Sequence, residues 1–417
     1  MLSEQSRPLI DASVPVLREH GLAITQAFYR NMFADRPELT NLFNMGNQAN
    51  GSQQQSLASA VFAYAANYGD NSALAPVVSR IVHKHASVGI KPSHYAIVAR
   101  HLLGAIGEVL GNAATPALVA AWDEAYWLLA AELIAAESRL YERAQTGPDH
   151  RQPVRIVERE AQSADITAFT LEAIGGTTLA DFLPGQYISV VVELTPGAFQ
   201  QRQYSLSDAP NGSTWRISVK RDRGNGEDLP AGAVSNWLHE NAREGDVLMV
   251  SQPFGDFAPR IEPSTPIVLL SAGVGVTPMI CALNAVAQRN PSRKVVFGHA
   301  ARMVSHVAHL KDIKHAARKL PRLRTHFFLE SAEPAEFLAQ PALPGRMDID
   351  VILADDDLAD ADFYLCGPLP FMQAQRAALH ARGVKAERVH REVFGPDLLD
   401  GLVRFALRFP RQQGLAS

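Results

Sequence analysis

Ile267-Val-Leu-Leu-Ser-Ala-Gly-Val-Gly-Val-Thr-Pro278 is the stretch on which the fold turns. The apolar run 267–270 reads as a short buried strand, and the glycine-rich turn leads into a helix beginning near Pro278. Val295-Val-Phe297, Thr325-His-Phe-Phe-Leu329 and Phe363-Tyr-Leu-Cys366 repeat the strand half of that unit. Strands alternating with helices imply a parallel sheet covered on its faces. Gly273 and Gly275 let backbone approach a ligand closely, and a helix N-terminus offers unpaired N–H groups to a pyrophosphate. A turn that uses its glycines only for packing fits the same residues.

Working outward, the texture changes twice. From Val154 to about Pro263 short alternating segments appear, such as Gln186-Tyr-Ile-Ser-Val-Val-Val-Glu193 and Trp215-Arg-Ile-Ser-Val-Lys220. Pro-Gly and Asn-Gly turns bound them, as in an antiparallel barrel. Residues 1–145 instead carry apolar residues at helical spacing, and Gln145-Thr-Gly-Pro-Asp149 breaks that pattern as a linker does. The expected domains are therefore 1–145, 150–260 and 264–397, followed by an irregular tail, 401–417. The chain has 417 residues, 47% hydrophobic and 20% charged, with a net charge of −4. That balance is ordinary for a globular protein and gives no basis for nucleic-acid binding. Two distant cysteines, Cys281 and Cys366, argue against a disulfide scaffold. The N-terminus lacks the basic start and apolar run of a signal peptide, and no run of about 18 apolar residues exists. A cytoplasmic protein without stable membrane association is expected.

Arg202-Gln-Tyr-Ser205 sits in the barrel region. An Arg can clamp a phosphate, a Tyr two residues on points the same way from a strand, and a Ser hydroxyl can bond a ring nitrogen. Alone, the four residues read as readily as a strand with an edge Arg. In the helical third, Leu74, Val77, Val78, Ile81 and Val82 form a stripe whose next position is His85, while His83 falls off it. Gln53 precedes Leu57 on one face of a second helix. Tyr29 shares a face with Leu22, Met32 and Phe33, and Glu137 lies within the stripe of Trp122, Leu129, Leu133 and Leu140. Each is more often structural when taken alone. Four inward polar groups on four helices, at about 1–3 kcal/mol each unless paired, are explained together by a shared buried ligand.

Taken in order, Pro184-Gly-Gln-Tyr187, Arg202-Gln-Tyr-Ser205, Gly232-Ala-Val-Ser-Asn236, the glycine turn, Cys366-Gly-Pro-Leu-Pro-Phe371 and Glu392-Val-Phe-Gly-Pro396 resemble the ferredoxin-NADP reductase superfamily over residues 154–397. Leu42-Phe-Asn-Met-Gly-Asn-Gln48, Gln53, Leu57, Lys84-His85, Ile90-Lys-Pro-Ser-His-Tyr95 and Glu137 look like a bacterial haem pocket. A globin ahead of a flavin reductase resembles flavohaemoglobin, the nitric oxide dioxygenase of bacteria and fungi. The resemblance implies an all-α globin, an antiparallel β-barrel that binds FAD, and an α/β parallel-sheet nicotinamide domain. It implies that NAD(P)H reduces FAD, that FAD reduces haem iron, and that the ferrous-oxy haem turns nitric oxide into nitrate.

Carried over by position, the resemblance makes His85 the proximal iron ligand, with Tyr95 and Glu137 behind it. Tyr29, Gln53 and Leu57 form the distal pocket and Phe43 packs on the haem. Arg202, Gly232, Val234 and Ser235 take the FAD phosphates. Tyr187, Gln203 and Tyr204 contact FAD, and Ser205 bonds the flavin. Gly273, Val274, Gly275, Val276, Thr277 and Pro278, with Cys366 and Gly367, take the nicotinamide nucleotide. Phe394 shields the flavin among Val393, Gly395 and Pro396, and Lys84 and Glu392 tune the redox groups. The implied partners are small molecules only, O₂, nitric oxide and NAD(P)H, bound by a monomer.

Two other functions fit the same residues: a haem-flavin peroxide or quinone reductase, and an O₂ or lipid carrier kept ferrous by its reductase. Arg302 stands where it could meet the 2′-phosphate of NADPH or be solvated, and the reading leans to NADH. The chain departs from the family at Val393, where Cys is common, in the longer loop Asp222 to Pro230, and in the tail beyond Asp400.

Overall fold

The computed structural model describes residues 1–224, 230–331, 341–354, 358 and 360–395. Pro396, the expected tail and residues 225–229 of the long loop lie outside the described residues.

Six α-helices come first: α1 (Ser6–Asp35), α2 (Met45–Ala49), α3 (Ser52–Asn67), α4 (Asn71–Val88), α5 (Pro92–Leu110) and α6 (Pro116–Arg143). Their starts follow local chemistry. Pro92 and Pro116 open α5 and α6, where a missing N–H costs nothing. The Thr115 hydroxyl accepts from the Leu118 amide at 3.2 Å, capping α6. α1 packs on α3, α5 and α6, and Ile10, Phe28, Met32, Phe62, Ile106 and Trp122 fill the space between. Tyr29 and Met32 are buried as expected. Leu22 is not: it is 41% exposed at the edge of that face, while Gly21 and Thr25 on either side of it meet Ala58 and the Gln54 carbonyl of α3.

The next six strands are β1 (Gln152–Ala161), β2 (Ile166–Ala173), β3 (Tyr187–Thr195), β4 (Ala198–Ser205), β5 (Thr214–Lys220) and β6 (Val247–Val250). They pair antiparallel in the order β4-β3-β6-β1-β2-β5, and a bridge between Leu206 and Ile217 brings the two edges together. Closure leaves no long open edge. Ile188, Val190, Val192, Trp215, Ile217 and Val219 point inward, against helix α7 (Ala233–Asn241).

The third part is β7 (Ile267–Ala272), α8 (Val276–Arg289), β8 (Val295–Ala301), α9 (Leu310–Lys319), β9 (Leu323–Leu329), β10 (Leu343–Pro344), α10 (Ile349–Leu353), β11 (Asp362–Cys366), α11 (Leu369–Ala381) and β12 (Val389–Glu392). The sheet order is β10-β9-β8-β7-β11-β12, parallel throughout. Strand order reverses beside β7, so a crevice opens between the carboxyl ends of β7 and β11. Helix α8 begins at Val276, earlier than Pro278, because a 3-10 turn at Gly273–Gly275 already brings the backbone into helical geometry.

A buried polar pair lies within this sheet. His299 on β8 is 1% exposed and its Nδ1 lies 2.9 Å from the Ser271 hydroxyl. Burial, and then the neighbouring His309, push its pKa down to about 4. An unfolded imidazole, near 6.5, takes up its proton first as pH falls. The neutral His299 therefore contributes stability in full above pH 6.5, and that contribution disappears between pH 6.5 and about 4. His299→Asn is expected to flatten the fall in unfolding free energy over that window by on the order of 3 kcal/mol, measured by urea unfolding at stepped pH. An unchanged slope in the variant refutes the assignment.

Candidate functional site

On α4 the stripe ends at His85, as spacing predicted, and its Nδ1 is gripped from two other helices. Glu137 Oε1 on α6 lies 2.8 Å away and the Tyr95 hydroxyl on α5 lies 3.1 Å away. Tyr95 donates to the same Glu137 oxygen at 2.5 Å. Glu137 is 2% exposed. A carboxylate oxygen accepts, so the bond assigns a hydrogen to His85 Nδ1 and turns Nε2 away from Glu137. Burial and the Glu137 charge push the Tyr95 hydroxyl far above its ordinary range, keeping it a neutral donor. Tyr126 and Tyr141, which the sequence reading passed over, fix the same helices by donating to the Tyr95 carbonyl at 2.6 Å and the Ile90 carbonyl at 3.2 Å. Their phenols read as ordinary core aromatics, so nothing in the sequence marked them.

Across the helical core, Tyr29 is buried and stacks edge-on with Phe43 at 5.7 Å between ring centroids. Burial raises its hydroxyl to about 12, partly offset by hydrogen bonds from Gln53 and Gln48. Leu57 packs against the same cluster. Gln48 was quoted in its motif but given no role. Its Oε1 accepts from Gln54 Nε2 at 2.9 Å, which turns its amide nitrogen, buried, toward the interior.

The barrel motif has two faces. In the register of β3 with β4, Val190 opposes Arg202 and Ile188 opposes Tyr204, whereas Ser189 opposes Gln203 and Tyr187 opposes Ser205. Arg202 donates to the Gln201 carbonyl at 2.7 Å and Gln200 Oε1 at 3.1 Å, and meets no carboxylate among the described residues. Burial lowers its pKa. Burial raises the Tyr204 hydroxyl. Ser205 Oγ is buried without a hydrogen-bond partner. Gln203, expected at FAD, instead sends Nε2 to the Ser87 hydroxyl on α4 at 2.5 Å. Tyr187 likewise packs with Phe254 against Val82, Ala86 and Leu133 of the helical part. Burial and the charges of Glu392 and Asp256 hold its hydroxyl well above the ordinary range.

Gly232 precedes α7. Ser235 donates back to its carbonyl at 3.1 Å and Val234 is fully buried, so this turn offers backbone rather than side chains. The glycine turn divides its labour. Gly273 has φ +54° and open space where a Cβ would stand. A Cβ on Gly275 would stand 2.2 Å from the Cys366 carbonyl oxygen. Val276, Thr277 and Pro278 are buried in the sheet's cover, and Val274 is partly so. Cys366 and Gly367 close the other side of the crevice, with Glu392 beside Cys366 in register. Burial, with the Glu392 charge, raises the Cys366 thiol. Val393 is buried in an apolar cluster, and Phe394 is 43% exposed. Lys84 Nζ donates to the Gly395 carbonyl, tying α4 to the chain end.

Three contacts between α4 and the barrel were missed. Gly255 N–H donates to His83 Nδ1 at 2.9 Å, Gln201 Nε2 to the Val88 carbonyl at 3.0 Å, and Gln203 to Ser87. The off-stripe position of His83 was the one available signal.

Residues 26–133 match the globin family model, 153–258 the oxidoreductase FAD-binding domain, and 269–377 the oxidoreductase NAD-binding domain. The flavohemoprotein of Bordetella parapertussis is 47% identical over 401 residues, 95% of this chain and 99% of that one. The chain belongs to the flavohaemoprotein family. The flavohemoprotein of Rhizobium meliloti is 44% identical over 95% of this chain and 99% of its own. A crystal structure of flavohemoglobin from Malassezia yamatoensis with bound FAD and heme has a TM-score of 0.83 at 31% identity, covering 94% and 100%. The FAD/NAD binding domain of nitric oxide dioxygenase from Vibrio cholerae has a TM-score of 0.52 at 37% identity, covering 59% and 99%. Membership makes the chain an oxidoreductase whose cofactors are haem, FAD and a nicotinamide nucleotide. The residues present fit them. Arg202 is a half-buried cation without an anion, Ser205 Oγ is unpaired, and His85 has its second nitrogen oriented. No group of three or more metal-ligating side chains occurs among the described residues. No helix among them is long and apolar enough to cross a membrane.

The two glycines make opposite predictions. Gly275→Ala is expected to destabilise the nucleotide domain by about 2 kcal/mol or more, through collision with the Cys366 backbone. Gly273→Ala is expected to cost only about 1 kcal/mol of backbone strain. Denaturant unfolding of both variants checks the order, and the reverse order contradicts the division.

Proposed function

We propose that this flavohaemoprotein is an NAD(P)H-dependent nitric oxide dioxygenase. The observation that carries the reading is the His85–Glu137–Tyr95 cluster, a buried carboxyl group orienting an imidazole. A charge-assisted bond from Nδ1–H makes the imidazole a stronger donor at Nε2. An O₂ carrier has no need of that push, and an oxygenase does. The name of the Vibrio cholerae relative supports the same activity.

Haem at His85 supplies an open iron position for O₂, and FAD divides a two-electron hydride into single electrons. The chain does the rest. His85 ligates through Nε2. Tyr29, kept protonated by burial with Gln53 beside it, would offer a neutral hydroxyl donor to negative charge developing in this pocket. Phe43 and Leu57 keep the space apolar. Arg202 and the amides before α7 hold the FAD phosphates, and Ser205 meets the flavin edge. The crevice between Gly273 and Cys366 receives the nicotinamide nucleotide. Asp165 lies 4.0 Å from Arg302 and 3.7 Å from Lys220, and this partial neutralisation favours NADH over NADPH.

Nitrate yield tests the reading: about two nitrates per NADH are expected from nitric oxide and O₂. NADH consumption without nitrate would exclude it and leave a peroxide or quinone as the acceptor. Tyr29→Phe is expected to lower nitric oxide turnover about 100-fold while leaving NADH-to-flavin reduction unchanged. Glu137→Gln keeps the shape and removes the charge. It is expected to lower the iron–histidine stretching frequency of the ferrous protein and to slow turnover by about tenfold. An unshifted frequency counts against the role given to Glu137.

A further inference from the structure

We propose that Asp312 is a positioning residue for hydride transfer. Through Asn284 and Asp208 it fixes the nucleotide-binding crevice against the strand that holds the flavin. The proposal rests on the reading that the nicotinamide nucleotide delivers its hydride to FAD.

Asp312 lies in the first turn of α9. Its Oδ1 accepts from Arg216 on β5 at 3.0 Å and from Asn284 on α8 at 2.9 Å, and its Oδ2 accepts from His309 at 3.0 Å. The Asn284 amide also donates to Asp208 Oδ1 at 2.8 Å, and the Cys281 thiol donates to the Asp208 carbonyl at 2.9 Å. Asp208 follows Ser205 by three residues, and α8 is the helix that grows out of the glycine turn. One hydrogen-bonded unit thus joins the chain leaving β4 to the helix behind the crevice.

Its inner members are buried, while the Asp312 and Arg216 side chains keep 13% and 14% of their surface exposed. Asn284 is 8% exposed and Cys281 and His309 are 0% exposed. His309 adopts φ +60°, a left-handed conformation that costs a non-glycine residue energy, and its imidazole bond to Asp312 helps to hold it there. The bonds from His309, Arg216 and Asn284 outweigh burial and hold the Asp312 carboxyl well below the usual range. It therefore accepts from all three at any physiological pH.

A cavity of about 530 Å³ adjoins the cluster, lined by Arg216, Asn284 and Asp312 together with Glu158, Lys311 and Arg318. Beside the cleft Ile166 and Ala209 pack against the nucleotide domain, and the directional bonds to Asp312 add orientation to that non-directional contact. Hydride transfer is sensitive to that orientation, since a misplacement of about 1 Å costs about 100-fold in rate.

The experiment uses the full chain loaded with haem and FAD. Anaerobic stopped-flow follows flavin bleaching by NADH, and by NADH deuterated at the transferred position, in Asp312→Ala, Asn284→Ala and Asp312→Glu. Limiting rates in the two alanine variants are expected to fall about 10- to 100-fold with an altered isotope effect and little change in half-saturating NADH. The glutamate variant is expected to recover most of the rate. Hydrogen–deuterium exchange, run on FAD-free protein as well, is expected to rise in residues 206–218 and 276–289 and not in α1–α6. Parent-like limiting rates and isotope effects, even with a lower unfolding temperature, overturn the proposal and leave Asp312 a structural residue. Should Asp312→Ala fail to fold, Asn284→Ala decides. If NADH does not bleach the flavin of the parent, the hydride reading fails, and the exchange pattern alone then decides whether Asp312 couples the two segments.

Discussion

A carboxylate with 2% of its surface exposed survives only if donors surround it, and Glu137 has two on different helices. That requirement orders the helical part. It fixes where α6 lies against α4 and α5, because Tyr95 and His85 must both reach one oxygen. It also selects the imidazole tautomer, since the acceptor is committed. Removing any member strands the others, so the three residues behave as one unit.

The same helix that presents His85 inward presents its other faces to the reductase. His83, Ser87 and Val88 meet Gly255, Gln203 and Gln201, and Lys84 reaches the Gly395 carbonyl. Tyr187 and Phe254 complete the contact from the barrel side, in an apolar cluster with Val82 and Leu133. The imidazole nitrogen that accepts from the Gly255 amide must be unprotonated there, which suits a group whose burial lowers its pKa. Under the proposed function this contact is the electron path: Ser87 is two residues from His85, Gln203 is two residues from Ser205, and a hydrogen bond joins them.

Much of this was legible in the sequence, for reasons that can be named. The strand, glycine turn and helix at 267–278 recur as β7 and α8, because an apolar run with β-branched residues has one good solution beside a parallel sheet. The stripe ending at His85 was readable because helical spacing is local. Side chains whose partners lie far along the chain were not. His83 fell off the apolar stripe, and its partner is 172 residues away. Leu22 shows the converse error: spacing placed it with Tyr29 and Met32, but it lies at the edge of the covered face, and Gly21 and Thr25 take the contacts with α3. Gln203 could have been placed better. Residues on a strand alternate, so a side chain between Arg202 and Tyr204 must face away from theirs, toward α4.

The glycine turn shows why motif and mechanism are separate inferences. Both glycines were taken as giving room to a ligand, yet only Gly273 has that room. Gly275 is small because the Cys366 carbonyl presses on it, and that pressure brings the carboxyl ends of β7 and β11 together. The close approach builds the crevice, and the open turn lines it. On the barrel side the logic is inverted: Arg202 meets no carboxylate among the described residues and Ser205 Oγ has no partner, in a setting where unmet bonds are costly. A fold that spends close packing on one wall and withholds hydrogen bonds from the other has its ligand written into both, the backbone stating where it lies and the unpaired groups stating what charge it carries.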